Sequence, residues 1–495
     1  MNTDPPSANT AGREASEAPE HMPIRRAPVA STVWLTLVIG SVPLLWLICG
    51  PFPREAKGAG VLGLMLVLLV LGLPVGIALG ITGTIGIFGI AGWSAALGAL
   101  RNIPFSASAS WSLSVIPMFV LMGLLLWRAG ITQDLFRSVR GLTHPIPGGL
   151  AVTTNLAGAG LASVSGSTLG ITYALARISI PEMLKSGYDI RLATGSVLMA
   201  GTGGQLIPPS ILLVVYAGIA GVPVGPQLLA GFVPGLLLAS IYTGLILTIA
   251  TAFPSLAPRS SIARESVLKR LVGLLGIWPA ILLVIVVIGG LYSGVFTATE
   301  AGAAGALVAL ILASWRMCGS NLATRAKAIG STLAETARIV GSIFLLIIGA
   351  AFLNRAFILS GLPVWIASYI EELGLSRAAL IVVLMVAYLV IGMFMEPLSM
   401  MLLTVPILMP TLAAADISLI WFGVFVVLLG EIAILTPPMG ILSFVVHSIC
   451  QDPQVNLGQR ISLWSVFQGA LWFIPASLLL VAILLLFPQI AEWPL

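Results

Sequence analysis

The chain has 495 residues, of which 58% are hydrophobic and only 8% charged, against about 25% charged in an ordinary soluble domain. That composition excludes a soluble globular enzyme and predicts an all-α polytopic membrane protein, because many runs reach the roughly 18–20 apolar residues a spanning helix needs. The net charge of +5 comes from Lys and Arg scattered between the apolar runs, which excludes a nucleic-acid-binding stripe and reads as a set of topology signals.

Residues 1–30 are polar and rich in Pro, Ala and Glu, and are expected to form a disordered cytoplasmic tail. Arg25 and Arg26 precede the first apolar run, 33–49. With no small-x-small cleavage site behind it, this run reads as a retained anchor helix, not a signal peptide. Residues 31–59 are thus an extra N-terminal transmembrane helix and loop.

The stretch 60–92 is too long for one span, and Gly72-Leu73-Pro74 offers a turn between two short helices. A helix at 111–127 ends in a basic segment with Arg128, Arg137, Arg140 and His144, expected in the cytoplasm. Residues 147–181 are interrupted by SVSGST at 163–168. The two arms, roughly 15 and 12 residues, are short for full crossings, so a re-entrant hairpin entered from the cytoplasm is expected.

A broken helix follows at 192–221, interrupted by GTGGQLIPPS at 201–210. No helix runs unbroken through Pro208-Pro209, because neither proline donates an amide hydrogen and each ring clashes with the preceding turn. A helix at 226–252 leads to a loop with Arg259, Arg264, Lys269 and Arg270, and helices at 271–293 and 298–314 lead to Arg316, Arg325 and Lys327. The next helix, 331–353, is expected to end at Asn354-Arg355, before an amphipathic stretch closing at Glu371-Glu372.

The second half then repeats the device. Residues 378–413 are interrupted by GMFMEP at 392–397, and a broken helix at 418–449 carries EIAILTPPMG at 431–440. The spacing from Ser165 to Pro208 nearly equals that from Glu396 to Pro437. The mouth of the second hairpin carries Glu371, Glu372, Arg377 and Asp416, so positive charge is no longer in excess and entry from the periplasm is expected. A last helix near 462–487 completes an inverted-topology repeat, with halves at about 111–252 and 331–487, each holding a re-entrant hairpin and a Pro-Pro-broken helix.

Breaks inside apolar helices are costly unless the freed backbone groups line an enclosed cavity or hold an ion. Serine hydroxyls and freed carbonyls at 163–168 and 204–210 supply neutral oxygens suited to Na⁺; the alternative is that Gly and Ser merely let helices pack closely. Gly392, Glu396, Thr436 and Met439 stand in the equivalent places. Glu396 lies in an apolar element and reads as functional or, alternatively, as a cap at the hairpin turn. Glu300, in TATEAG at 297–302, reads as a first-turn acid. Arg355 could attract an anion or snorkel at a helix end. Candidate substrate contacts are Ser163, Thr202, Gln205, Arg355 and Glu396. Three dispersed cysteines, Cys49, Cys318 and Cys450, suggest neither a disulfide framework nor a metal site. No Ser/His/Asp grouping, HExxH or GxxxxGK[ST] loop is present, which speaks against an enzyme or an ATP-driven pump.

IPMF (116–119), SVSGST (163–168), IPEMLKSGYD (180–189), IPPSILLVVYAG (207–218), LLAGFVPG (228–235), TATEAG (297–302), GMFMEP (392–397) and LTPPMG (435–440) occur in this order. On these stretches the chain resembles the large membrane subunit of the TRAP transporters, the DctM family of tripartite ATP-independent periplasmic carriers. The resemblance implies an elevator-type carrier, residues 60–495 being the permease core, that imports a small organic anion, a carboxylate, with Na⁺ as coupling ion and no other cofactor. It also implies a small membrane subunit and a periplasmic substrate-binding protein as partners, and a bacterial inner-membrane location. By similarity one Na⁺ site falls on Ser165, Ser167, Gly204, Ile207 and Pro209, and a second on Gly392, Ala433, Thr436 and Met439. Position 433 is alanine where the family pattern suggests glycine. A stand-alone Na⁺-coupled carboxylate carrier of the same architecture is the alternative.

Overall fold

The computed structural model describes residues 31–143, 145–165, 168–258, 276, 278–318 and 321–492, and of 31–39, 132, 163–165 and 322 the backbone alone. The expected tail 1–30, His144, the tip residues Gly166 and Ser167 and the basic loop with Arg259, Arg264, Lys269 and Arg270 lie outside the described residues. No strand occurs among the described residues. Among the described residues, six helices are long and apolar enough to cross a membrane.

The N-terminal helix α1 (Ser31–Cys49) packs on α2 (Arg54–Val70). Gly72 takes a positive φ of 80° between α2 and α3 (Val75–Ala91), so the predicted turn stands where only glycine enters freely. Next come α4 (Trp93–Ser108), a 3₁₀ turn at Trp111–Ser114, α5 (Val115–Arg128) and α6 (Ile131–Thr143). Neither α4 nor α6 is expected from the apolar runs. Helix α6 forms in the stretch read as a basic cytoplasmic segment, because its apolar positions recur at helical spacing: Leu135 and Phe136 are buried, Arg137 is exposed. Arg140 pairs with Glu182 at 2.6 Å.

The first hairpin is α7 (Gly149–Ser165) and α8 (Thr168–Lys185). Both arms are longer than the apolar pattern suggests, since α8 runs through Pro181 into the polar turn ending at Lys185. The broken helix is α9 (Ile190–Gly203) and α10 (Ile211–Ala220), followed by α11 (Val224–Ala252). Then come α12 (Trp278–Tyr292) and α13 (Ala298–Arg316). Thr297 and Glu300 form a reciprocal cap on α13, as expected for a first-turn acid.

Helix α14 (Leu322–Ser360) has 39 residues, about 58 Å at 1.5 Å per residue. It does not stop at Asn354-Arg355: arginine is a good helix former, and the helix ends only where Gly361 adopts φ 70°. The apolar run marked a membrane-thick segment of a longer rod. After α15 (Leu362–Glu372), the second hairpin is α16 (Arg377–Gly392) and α17 (Pro397–Ala414). The second broken helix is α18 (Leu419–Ala433) and α19 (Ile441–Ile449). A short α20 (Pro453–Asn456), α21 (Leu463–Leu486) and α22 (Gln489–Glu492) close the chain.

The order helix, amphipathic helix, hairpin, broken helix, helix thus occurs twice, as α5–α11 and α14–α21. The two runs interlock. Upstream halves α9 and α18 pack on the hairpins of their own run, whereas downstream halves cross over, α10 onto α17 and α19 onto α8. The closing helices also cross, α21 onto α9 and α11 onto α18. A separate layer is built by α3 against α14 and α5 against α13. There a side chain on Gly76 would come within 3.0 Å of the Leu345 carbonyl, the close backbone approach that small residues permit.

Candidate functional site

The first break covers 204–210, and every residue from Gly201 to Ser210 is buried. The two prolines stop α9, and the Ser210 hydroxyl accepts from the Leu213 amide at 3.3 Å to restart the chain as α10. Gly204 lies so close to α7 that a β-carbon there would be 2.5 Å from the Ala159 carbonyl oxygen. On the other side, a β-carbon on Gly235 of α11 would be 3.0 Å from the Ile207 amide nitrogen. The break is therefore held between the first arm of its hairpin and α11.

Of the predicted first Na⁺ site, Gly204, Ile207 and Pro209 are buried together here. Ser165 is the last residue of α7, its side chain lies outside the described set as does that of Ser163, and Ser167 lies outside it altogether. Thr202 and Gln205 are buried. The Thr202 hydroxyl donates to the Met199 carbonyl at 2.9 Å, turned back on its own helix.

The second break, 434–440, repeats the apposition with the roles reversed. Gly392, at the end of α16, faces Ala433, at the end of α18: a β-carbon on Gly392 would be 2.5 Å from the Ala433 methyl. In the first half the glycine sits on the break and the alanine on the hairpin. In the second the positions are exchanged, so the alanine at 433 fits because its partner has no side chain.

Carbonyls freed by Pro437-Pro438 are partly engaged. The Leu442 amide donates to Ile434 at 3.3 Å, and the Ser443 hydroxyl donates to Leu435 at 3.3 Å. The Thr436 hydroxyl donates to Ile432 at 2.9 Å, leaving its lone pairs available. Met439 is half exposed. Both Pro-Pro bonds are cis.

Two sequence expectations change. Glu396 is exposed at the hairpin tip in the N-cap position of α17, where its carboxylate makes no hydrogen bond to the helix backbone and accepts instead from the Ser399 hydroxyl at 3.2 Å. It is not deep within an apolar element, because the tip breaks the helix on both sides of it. Arg355 is exposed in the interior of α14, not at a helix end.

The structure also brings forward a residue the sequence reading assigned no role. Glu431 is only 2% exposed, and the Thr168 hydroxyl lies 3.0 Å from each of its carboxylate oxygens. An acid inside the apolar run 418–449, directly before a break, was the available signal.

A cleft of about 580 Å³ opens beside the second hairpin tip, lined among others by Tyr173, Met393, Phe394, Met439, Phe444 and Ser448. The Arg177 guanidinium lies 5.2 Å from the centre of the Tyr173 ring and pairs with Asp452 at 3.4 Å. The cleft therefore touches elements of both hairpins and has a cation at its side. In the loop leading into α9, the Arg191 guanidinium beside Asp189 holds its carboxyl below the usual carboxylate range. The same carboxylate accepts from the Arg191 amide at 2.8 Å and so caps α9.

Residues 62–490 match the family described as tripartite ATP-independent periplasmic transporter, DctM component. A C4-dicarboxylate TRAP transporter large permease protein of Pseudomonas aeruginosa is 34% identical over 70% of this chain and 80% of its own length. An ectoine TRAP transporter large permease protein of Halomonas elongata is 29% identical over 86% of this chain and 96% of its own. Among solved structures, the YdaH transporter of Alcanivorax borkumensis superposes with a TM-score of 0.61 at 16% identity, covering 89% of this chain and 99% of that one. That likeness is one of fold.

Proposed function

Because the chain belongs to the DctM component family of the tripartite ATP-independent periplasmic transporters, multi-pass membrane permease subunits and not enzymes, we propose that it imports a small organic anion, a carboxylate, with Na⁺ as the coupling ion. The reading is carried by the apposition of each hairpin to the break of its own half, Ala162 to Gly204 and Gly392 to Ala433. Ser165, Ser167, Gly204, Ile207 and Pro209 would hold one Na⁺, and Gly392, Ala433, Thr436 and Met439 the other. Neutral oxygens at breaks buried in protein suit a hard monovalent cation.

The family is tripartite. A small membrane subunit and a periplasmic substrate-binding protein would be its partners, with this chain in the bacterial inner membrane and its N-terminus cytoplasmic. The interlocked hairpins and broken helices would move as one body against the layer built by α3, α5, α13 and α14. Ser163, Thr202, Gln205, Arg355 and Glu396 remain the proposed substrate contacts.

Ligands that bind only the native state raise its stability, by about 2.7 kcal/mol at one hundred times the dissociation constant. The purified full-length protein should therefore melt at a higher temperature in NaCl than in choline chloride of equal ionic strength. Identical melting in the two salts would overturn Na⁺ coupling. In proteoliposomes that also hold the small membrane subunit, succinate as the test anion should enter only with an inward Na⁺ gradient and a cognate binding protein present.

A further inference from the structure

Resting on the Na⁺ reading above, we propose that Thr168 and Glu431 form the link that couples the two ion sites, so that Na⁺ at the first hairpin tip raises the affinity for Na⁺ at the second break. Thr168 opens α8, immediately after the tip that carries Ser165 and Ser167. Glu431 lies two residues before Ala433 and one turn before the second Pro-Pro break. Their hydrogen bond joins residues 263 positions apart, at 3.0 Å, with both side chains buried.

Three helices meet at this bond. A β-carbon on Gly201 of α9 would be 3.2 Å from the Thr168 carbonyl oxygen and 2.6 Å from the Thr172 hydroxyl. The end of α9, just before the first break, is thus pressed onto the same turn of α8. The Thr172 hydroxyl is fully buried and has no hydrogen-bond partner among the described residues, so this turn holds polar capacity that packing alone does not use. On its other flank α18 meets the second hairpin: a β-carbon on Gly430, next to Glu431, would lie 2.9 Å from the Pro397 side chain.

The end of α18 is therefore clamped between the two hairpins, with the Thr168 hydroxyl as the polar contact on one side. A carboxyl group out of reach of water depends on each of its hydrogen-bond partners. Whatever settles the end of α9 against α8 fixes the donor, the donor fixes Glu431, and Glu431 fixes the rim of the second site. Thermodynamic linkage makes the effect reciprocal.

Na⁺ alone is the probe. Titrating NaCl into the detergent-purified full chain, at ionic strength held with choline chloride, and following tryptophan fluorescence should give a Hill coefficient above one. Thr168→Val, which keeps the shape and removes the donor, should bring it to one and weaken the response about fivefold or more. Glu431→Leu, which removes the acceptor, should do the same, and the double variant should lose nothing further. Thr168→Ser, which restores the hydroxyl, should behave as the parent.

A Thr168→Val protein with the parent's Hill coefficient overturns the link. So does a Thr168→Ser protein as impaired as Thr168→Val, since packing and not the hydroxyl would then matter. A parent that binds Na⁺ with a Hill coefficient of one overturns the link and leaves Na⁺ coupling standing. A parent blind to Na⁺ sinks the Na⁺ reading as well. If Thr168→Val is not monodisperse, Glu431→Leu decides.

Discussion

Gly392 and Ala433 share a space that admits one side chain: a β-carbon added to Gly392 would stand 2.5 Å from the Ala433 methyl, well inside van der Waals contact. Both sit where a hairpin meets a break, so the fit fixes how hairpin and broken helix seat on each other.

Gly392→Ala should therefore abolish or sharply reduce transport and cost about 1–3 kcal/mol by overpacking. Gly392→Ala combined with Ala433→Gly should recover most of the loss, since the methyl is moved, not added. Thermal melting and uptake of the parent, both single variants and the double variant measure this. A double variant as impaired as Gly392→Ala would show that the glycine serves something other than space.

Ser165→Ala and Thr436→Ala test the ion ligands. Losing one ligand where water is scarce should cost about 1–3 kcal/mol, roughly a 5- to 150-fold higher Na⁺ concentration for half-maximal response. Ser16→Ala, in the N-terminal tail, should change nothing. Unchanged Na⁺ dependence in both site variants would make the tips packing devices.

Opposite entry of the two hairpins predicts that residues at the end of α8 and just before α16 face opposite sides of the membrane. Gly374 has φ 60°, where a cysteine would be strained, so Lys185→Cys and Glu372→Cys are the better probes, both exposed. With Cys49, Cys318 and Cys450 replaced, an impermeant thiol reagent should label Lys185→Cys only from the cytoplasmic side and Glu372→Cys only from the periplasmic side. Labelling of both from one side would refute the inverted repeat.

Asp189 caps α9 and pairs with Arg191 at 2.9 Å. Asp189→Ala should cost about 0.5–2 kcal/mol through the lost cap, while Asp189→Asn keeps the cap and loses only the ion pair, worth at most about 1 kcal/mol. The folded carboxyl titrates below its unfolded value. Its contribution is thus complete above about pH 4 and fades as pH falls through the lowered folded value. The melting difference between parent and Asp189→Asn should be constant from neutral pH down to about pH 5 and shrink only in stronger acid.

The breaks were legible in the residues alone, because Pro208-Pro209 and Pro437-Pro438 remove amide donors whatever surrounds them. So were the hairpin interruptions, the cap of Thr297 and Glu300 and the turn at Gly72, each set by a few neighbouring residues. Hydropathy measured what is apolar and not what is helical. It therefore missed α4 and α6, shortened α8 and ended α14 at Arg355, when the helix runs on to Ser360.

Pairings between the halves were decided by tertiary structure. Neither Thr168 nor Glu431 carries a local mark that names the other, 263 residues away, and the exchange of glycine for alanine at Gly204 and Ala433 has meaning only once each hairpin lies against its break. Such contacts depend on the path of the whole chain, whereas a helix break depends on the covalent geometry of the residues that make it.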